Sequence, residues 1–240
     1  SRTVLARLGL DRLEADTLFV EDLLGSIRAL DKVKAWLKAR FWPSRLLCPA
    51  KGFQGDDEAA ILLSSGSTGQ AKAVTLSHHN IQSNLEQMSM VFRITQQDRF
   101  CGVLPLFHCF GLTITLWFPL MHGAAVSFIP NPLDGKAVAD CVRKDRCTLL
   151  LATPTFLQVY LRRAERVDLA SLREVIVGAE KLTSDLADAF EQRFGIRPHE
   201  GYGATETSPV ISINLPAVEI DGVRQIGTKP GSVGQSMPGM

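Results

Sequence analysis

The chain has 240 residues, room for one domain and part of another at ~150 residues each. Apolar types make up 45% and charged types 21%, the usual globular mix, which excludes collagen, coiled coil, mucin-like stalks and disordered tails. With 26 Lys plus Arg against 25 Asp plus Glu the net charge is +1, so nothing points to nucleic acid as a partner or to an anionic membrane. The 5 cysteines are odd in number and lack C-x-x-C spacing. That indicates neither a disulfide framework nor a zinc site, and it suits a reducing cytosol.

From the start, Asp22–Arg40 places Leu23, Leu24, Ile27, Leu30, Val33 and Leu37 at helical spacing and predicts one amphipathic helix. Phe41-Trp42-Pro43 stops it, and Cys48–Asp57, with Pro49, Gly52 and Gly55, reads as a linker. Residues 1–56 are therefore expected to form a helical connector and 57–240 the core. The Ser-Arg-Thr start without Met, and the Gly/Pro-rich phrase before Met240, read as the ends of a piece of a longer protein.

Beyond the linker, short apolar runs alternate with amphipathic segments. Strands are predicted at Ala60–Leu63, Gly102–Leu106, Ala124–Ile129, Thr148–Ala152, Leu172–Val177 and Arg197–Gly201. Helices are predicted at His78–Met90, for about three turns from Gly111, and at Gly135–Asp145, Pro154–Arg163 and Ser184–Phe194. Most of these strands are continuous apolar runs, as in a parallel sheet covered on both faces. The fold class is α/β, a doubly wound, mostly parallel sheet with helices on both faces. Phe100–Leu133 carries no Asp, Glu, Lys or Arg, yet Pro105, Gly111, Pro119 and Gly123 divide it into pieces too short to span a bilayer.

Three phrases carry chemistry. Ala60–Leu63 runs into Ser64-Ser65-Gly66-Ser67-Thr68-Gly69, with Lys72 just beyond. Small residues let the backbone turn tightly and aim several N–H groups at one point, hydroxyls add donors, and Lys72 adds charge, which suits a polyphosphate. It is not a Walker A loop, because the Gly-Lys pair is missing; alone it is also compatible with a serine-rich surface turn. Glu200-Gly201-Tyr202-Gly203-Ala204-Thr205-Glu206-Thr207 follows a strand, at the sheet edge where open α/β folds bind ligands. Glycines flank Tyr202, leaving its ring room to lie on a planar base; Thr205 offers a hydroxyl to phosphate and Glu206 a hard oxygen to Mg2+. Each of these side chains taken singly is equally an ordinary packed tyrosine or exposed carboxylate. Gly178-Ala179-Glu180-Lys181-Leu182 also follows a strand and leaves space for a flat ligand.

In order and spacing the three phrases resemble the adenylate-forming superfamily, which includes acyl-CoA synthetases, luciferases and peptide-synthetase adenylation domains. The resemblance covers Asp57–Met240 and implies part of the large amino-terminal domain of such an enzyme. It implies that a fatty-acid carboxylate attacks the α-phosphorus of ATP, and that a thiol then displaces AMP to give a thioester. Ser64, Ser65, Gly66, Ser67, Thr68, Gly69 and Lys72 would hold the β- and γ-phosphates. Glu206 would hold Mg2+ and Thr205 would contact phosphate. Tyr202, Gly203, Gly178, Ala179 and Glu180 would frame adenine. Leu104–Leu112 is similar to the segment beside the acyl pocket of fatty-acid-activating members, with His108 near the carboxylate or gating the acyl tunnel.

With Ser208–Asn214, these phrases look most like the acyl-carrier-protein synthetase halves of bifunctional 2-acylglycerophosphoethanolamine acyltransferases. That branch implies a long-chain fatty acid, acyl carrier protein as acceptor, and a lysophospholipid partner through a preceding acyltransferase domain. It also implies a cytoplasmic place, with the inner membrane's cytoplasmic face as the parent's attachment. Coenzyme A as acceptor, and a nucleotide-binding module without turnover, stay open. Two departures stand out: the family's Pro before the loop Lys and Gly after it are Ala71 and Ala73. The ribose-binding Asp motif and the carboxyl-terminal domain with the catalytic Lys would lie beyond Met240.

Overall fold

The computed structural model describes residues 19–47, 52, 54–65, 71–220 and 223–240. The chain divides into two units, 1–53 and 54–240. The first contains α1 (Val20–Ser26), α2 (Ala29–Phe41) and α3 (Ser44–Leu47). One helix was expected over Asp22–Arg40; two are found. Ile27 and Arg28 are extended, and the Arg28 N–H donates to the Asp31 carboxylate at 3.1 Å, which starts a new helix where the first ends at Gly25-Ser26.

The second unit opens with an antiparallel hairpin, β1 (Glu58–Ser65) and β2 (Ala71–Ser77), in a sheet of its own. This corrects the expectation that Ala60–Leu63 belongs to the parallel sheet. Leu62 and Leu76 are buried while Ile61 and Leu63 are exposed, so the hairpin buries one face. Ser77 caps α4 (His78–Val91) by accepting the Asn80 N–H at 3.2 Å.

The main sheet has the order β11-β8-β7-β6-β5-β3-β4. Its strands are β3 (Arg99–Gly102), β4 (Ala125–Phe128), β5 (Leu149–Ala152), β6 (Glu174–Val177), β7 (His199–Gly203), β8 (Val210–Ile213) and β11 (Gln235–Ser236). From β4 through β7 the pairing is parallel; β8 and β11 are added antiparallel. A small hairpin, β9 (Val218–Ile220) and β10 (Val223–Gln225), lies between β8 and β11 in sequence. Strand β3 ends at Gly102, earlier than the predicted run to Leu106, because Val103–Pro105 already turns the chain toward the next helix. That helix begins as α5 (Cys109–Leu112), widens to a π-helical turn over Thr113–Trp117 and ends as α6 (Phe118–His122).

Alternate strand residues feed two cores, as the period of two demands. Phe100, Leu149, Leu151 and Ile176 pack with Met88 of α4 and with Ile114 and Phe118. Cys101, Leu150, Val175 and Val177 pack on the other face with α7 (Gly135–Asp145), α8 (Pro154–Arg163) and α9 (Ser184–Phe194). The chain leaves β3 for β4 on one side, then crosses back to β5 on the other. The carboxyl ends of β3 and β5 thus form a topological switch point, the usual ligand crevice of an open α/β sheet. Among the described residues no helix is long and apolar enough to cross a membrane.

Candidate active site

At that crevice lies a cavity of about 470 Å³, within the range of small-molecule sites. Its floor is apolar: Phe100, Phe118, Leu149, Leu151 and Ile176 line it from the sheet and from α6. Its mouth is polar and small, made by Ser64, His108, Gly178, Ala179 and the run Tyr202–Thr205. Ser64 of the first phrase, Gly178 and Ala179 of the third and Gly201–Thr205 of the second therefore meet around one space.

Backbone geometry explains the small residues. Gly203 approaches the Pro209 carbonyl so closely that a Cβ would overlap it, so no other residue fits this crossing of β7 and β8. Ala179 stands at φ 68° and Ser208 at φ 72°, left-handed conformations that cost a non-glycine residue of order 1–3 kcal/mol. Surrounding bonds hold both turns. Glu180 accepts from Thr155 N and Oγ1 at 3.1 and 2.6 Å. Glu200 Oε1 accepts the Leu182 N–H at 3.2 Å. Thr207 Oγ1 donates to the Pro209 carbonyl at 2.7 Å.

The expected residues are placed as follows. Ser64, His108, Gly178, Ala179, Tyr202, Gly203 and Thr205 line the cavity, and Tyr202, 52% exposed, has a ring face open to a ligand. Ser65 ends β1, and Lys72 stands opposite Ser64 on β2, exposed and set back from the cavity wall. Gly66, Ser67, Thr68 and Gly69 lie outside the described residues. Glu206, exposed on the turn Thr205–Thr207, presents its carboxylate beside the mouth. Glu180 is absent from the cavity lining, and its carboxylate ties the first turn of α8 through Thr155.

His108 caps α5: its Nδ1 accepts the Phe110 N–H at 3.2 Å, which leaves the neutral ring's proton on Nε2. Cys109 Sγ lies 3.4 Å from Thr205 Oγ1, joining α5 to the turn Thr205–Thr207. Burial pushes its thiol up, and the charge of Glu206 adds to this, so Cys109 is a neutral thiol at pH 7.

Two contributors were not anticipated. Asn84, 2% exposed on α4, donates to the Val210 carbonyl at 2.8 Å and accepts the Val210 N–H at 3.1 Å, fixing β8 against the helix. Its signal was a lone amide on the apolar stripe Ile81, Leu85, Met88. Asp98 is the other. It accepts from Thr95 N, Thr148 Oγ1 and Arg173 Nε at 2.8, 2.8 and 3.0 Å, clamping the starts of β3, β5 and β6. Burial opposes its charge, but the Arg173 guanidinium and these donors hold its carboxyl below the usual range.

The doubly wound sheet, with an apolar cavity at its carboxyl edge and the Gly-flanked Tyr202 of β7 in the cavity wall, is the architecture of an open α/β ligand-binding domain. Residues 12–240 match the family model described as AMP-binding enzyme, and the chain belongs to that family. It is 31% identical over 189 residues to mouse medium-chain acyl-CoA ligase ACSF2, covering 76% of this chain and 30% of that protein. The crystal structure of the anthranilate CoA ligase AuaEII with anthranoyl-AMP superposes with a TM-score of 0.68 at 25% identity, over 78% of this chain and 35% of that one. O-succinylbenzoate coenzyme A synthetase (MenE) from Bacillus subtilis, with ATP and magnesium ion, gives 0.63 at 25% identity, over 75% and 40%. The chain thus spans under a third of the length of the curated relative named here.

Proposed function

We propose that this chain is the nucleotide- and acid-binding core of an acid–thiol ligase, which activates a carboxylic acid with ATP and passes it to a thiol. The observation that carries this reading is the meeting of Ser64, Gly178–Ala179 and Tyr202–Thr205 around one cavity with a small, polar mouth and an apolar floor. Tyr202 and the Gly178–Ala179 turn frame adenine, and the apolar floor receives the acid's tail. Joining a carboxylate to a phosphate ester brings two anions together, so the protein's task is alignment and charge neutralisation. Thr205 stands where it can donate to phosphate, and Lys72 supplies charge from β2. The exposed carboxylate of Glu206 beside Thr205 fits a hard cation that keeps phosphate and water as its other ligands. Magnesium bound there would neutralise phosphate charge.

For the finer assignment, we take the acid to be a long-chain fatty acid, because aromatic and branched aliphatic side chains line the floor. We take the acceptor to be acyl carrier protein, in a reacylation enzyme for lysophosphatidylethanolamine with residues 1–56 as the connector from a preceding domain. The Ser208–Asn214 phrase supports this. Coenzyme A is the alternative acceptor, favoured by the relatives named as CoA ligases. A thioester assay on the intact protein carrying this chain, with ATP, Mg2+ and hexadecanoate, separates them. Hexadecanoate-dependent AMP release is expected, faster with holo acyl carrier protein than with coenzyme A. The reverse preference would select coenzyme A, and no release with any acid would refute the ligase reading.

A further inference from the structure

Cys101 is 40 residues before Cys141 and Cys147 follows six residues later, yet the three Sγ atoms all lie within 4.8 Å of one another, and all three residues are buried. Cys101 points from β3 into the α7 face of the sheet, Cys141 comes from α7, and Cys147 stands two residues before β5. They lie on the opposite face of the sheet from the binding cavity; Phe100, next to Cys101, lines that cavity. At the edge of the cluster Asp145 Oδ2 is 3.7 Å from Cys141 Sγ. Tyr160, fully buried on the same face of the sheet, has a hydroxyl with no partner among the described residues.

We propose that these three thiols form a site for a thiophilic divalent cation of the zinc group, with Asp145, whose carboxylate reaches Cys141 but lies farther than 4.8 Å from at least one of the other sulfurs, moving in as the fourth ligand. Sulfur ligands on zinc at ~2.3 Å stand about 3.8 Å apart in a tetrahedron, so the thiols need to close by no more than about 1 Å. A carboxylate oxygen and a sulfur on one tetrahedral zinc stand about 3.5 Å apart, near the separation already present between Asp145 and Cys141. The ligand types are those of a closed structural site, soft sulfur with one oxygen. Binding replaces three S–H bonds by three sulfur–metal bonds and releases three protons to solvent. The resulting anionic centre is buried.

The test is a titration of the reduced chain with Cd2+, followed by the sulfur-to-cadmium charge-transfer absorption. Saturation at one equivalent is expected, with the absorption retained in C109S and C48S. C141S should weaken the apparent affinity at least 100-fold and D145N about 10-fold. If C141S fails to fold by circular dichroism, the wild-type chain decides: charge-transfer intensity per bound Cd2+ grows with the number of thiolates, and it should match a three-thiolate reference peptide rather than a one-thiolate one. No absorption from folded protein, absorption lost only in C109S, or one-thiolate intensity would overturn the site.

Discussion

Asp98→Asn separates the stability of the sheet from the chemistry at its other end. Asp98 joins the amino ends of β3, β5 and β6 through Thr95, Thr148 and Arg173, whereas the cavity opens at the carboxyl ends. Asn keeps the shape but removes the charge that Arg173 pairs with. Hydrogen bonds to charged groups contribute roughly 1.5–3 kcal/mol each. Arg173 is 39% exposed at its side chain, which places this one low in that range; with weakening of the two threonine bonds the expected loss is about 2 kcal/mol at pH 7. The pH dependence gives a second handle. Asp98's folded pKa lies below its unfolded value of about 3.9, so its stabilisation is complete above that value and is lost as pH falls through the folded pKa. Urea unfolding at pH 7 and at successively lower pH should show a gap between wild type and variant that closes below about pH 4. Affinity for an adenylate analogue at pH 7 should be unchanged. Equal stability at pH 7, or a gap that persists unchanged in acid, would refute the clamp.

Asn84→Ala should cost about 2–4 kcal/mol in urea unfolding, because it leaves the Val210 N–H and C=O buried without partners; a loss under 1 kcal/mol would mean that water replaces the amide. Gly203→Ala should abolish measurable adenylate binding, since the added methyl displaces the Pro209 carbonyl and with it the Tyr202 turn. Wild-type binding by that variant would mean the turn is not held as described.

The parts of the fold set by local patterning were legible in the sequence. Helices at Gly135–Asp145, Pro154–Arg163 and Ser184–Phe194 begin and end where Asp134, Thr153 and Thr183 cap them and where Gly195 and the basic residues close them. The buried strands Leu149–Ala152 and Glu174–Val177 read directly as apolar runs. The hairpin did not. Leu62 and Leu76 face in while Ile61 and Leu63 face out, but four apolar residues in a row conceal that alternation, and the small-residue phrase after them masked β2. Strand β8 depends on pairing with β7 and on Asn84, 126 residues from Val210, and β11 on pairing with β8, which no local pattern expresses. At the site, the phrases with special backbone needs were visible because glycine and small residues mark them. The bond from Thr155 to the Glu180 carboxylate could not be read from the sequence, because the two residues are 25 apart. The three converging thiols were invisible for the same reason: no spacing rule connects Cys101 with Cys141 and Cys147.

The union of an adenine frame and an acyl floor in one cavity is tested most directly by calorimetric titration of the chain with a hydrolysis-resistant hexadecanoyl-adenylate analogue, beside AMP and with Tyr202→Ala. Each methylene buried contributes about 0.8 kcal/mol, so four on the apolar floor make the analogue bind at least ~100-fold tighter than AMP. Tyr202→Ala should weaken both ligands by about 1–3 kcal/mol, the usual worth of a base stacked on an aromatic ring. Folded protein that binds the analogue no more tightly than AMP, or that binds both unchanged without Tyr202, would contradict the account.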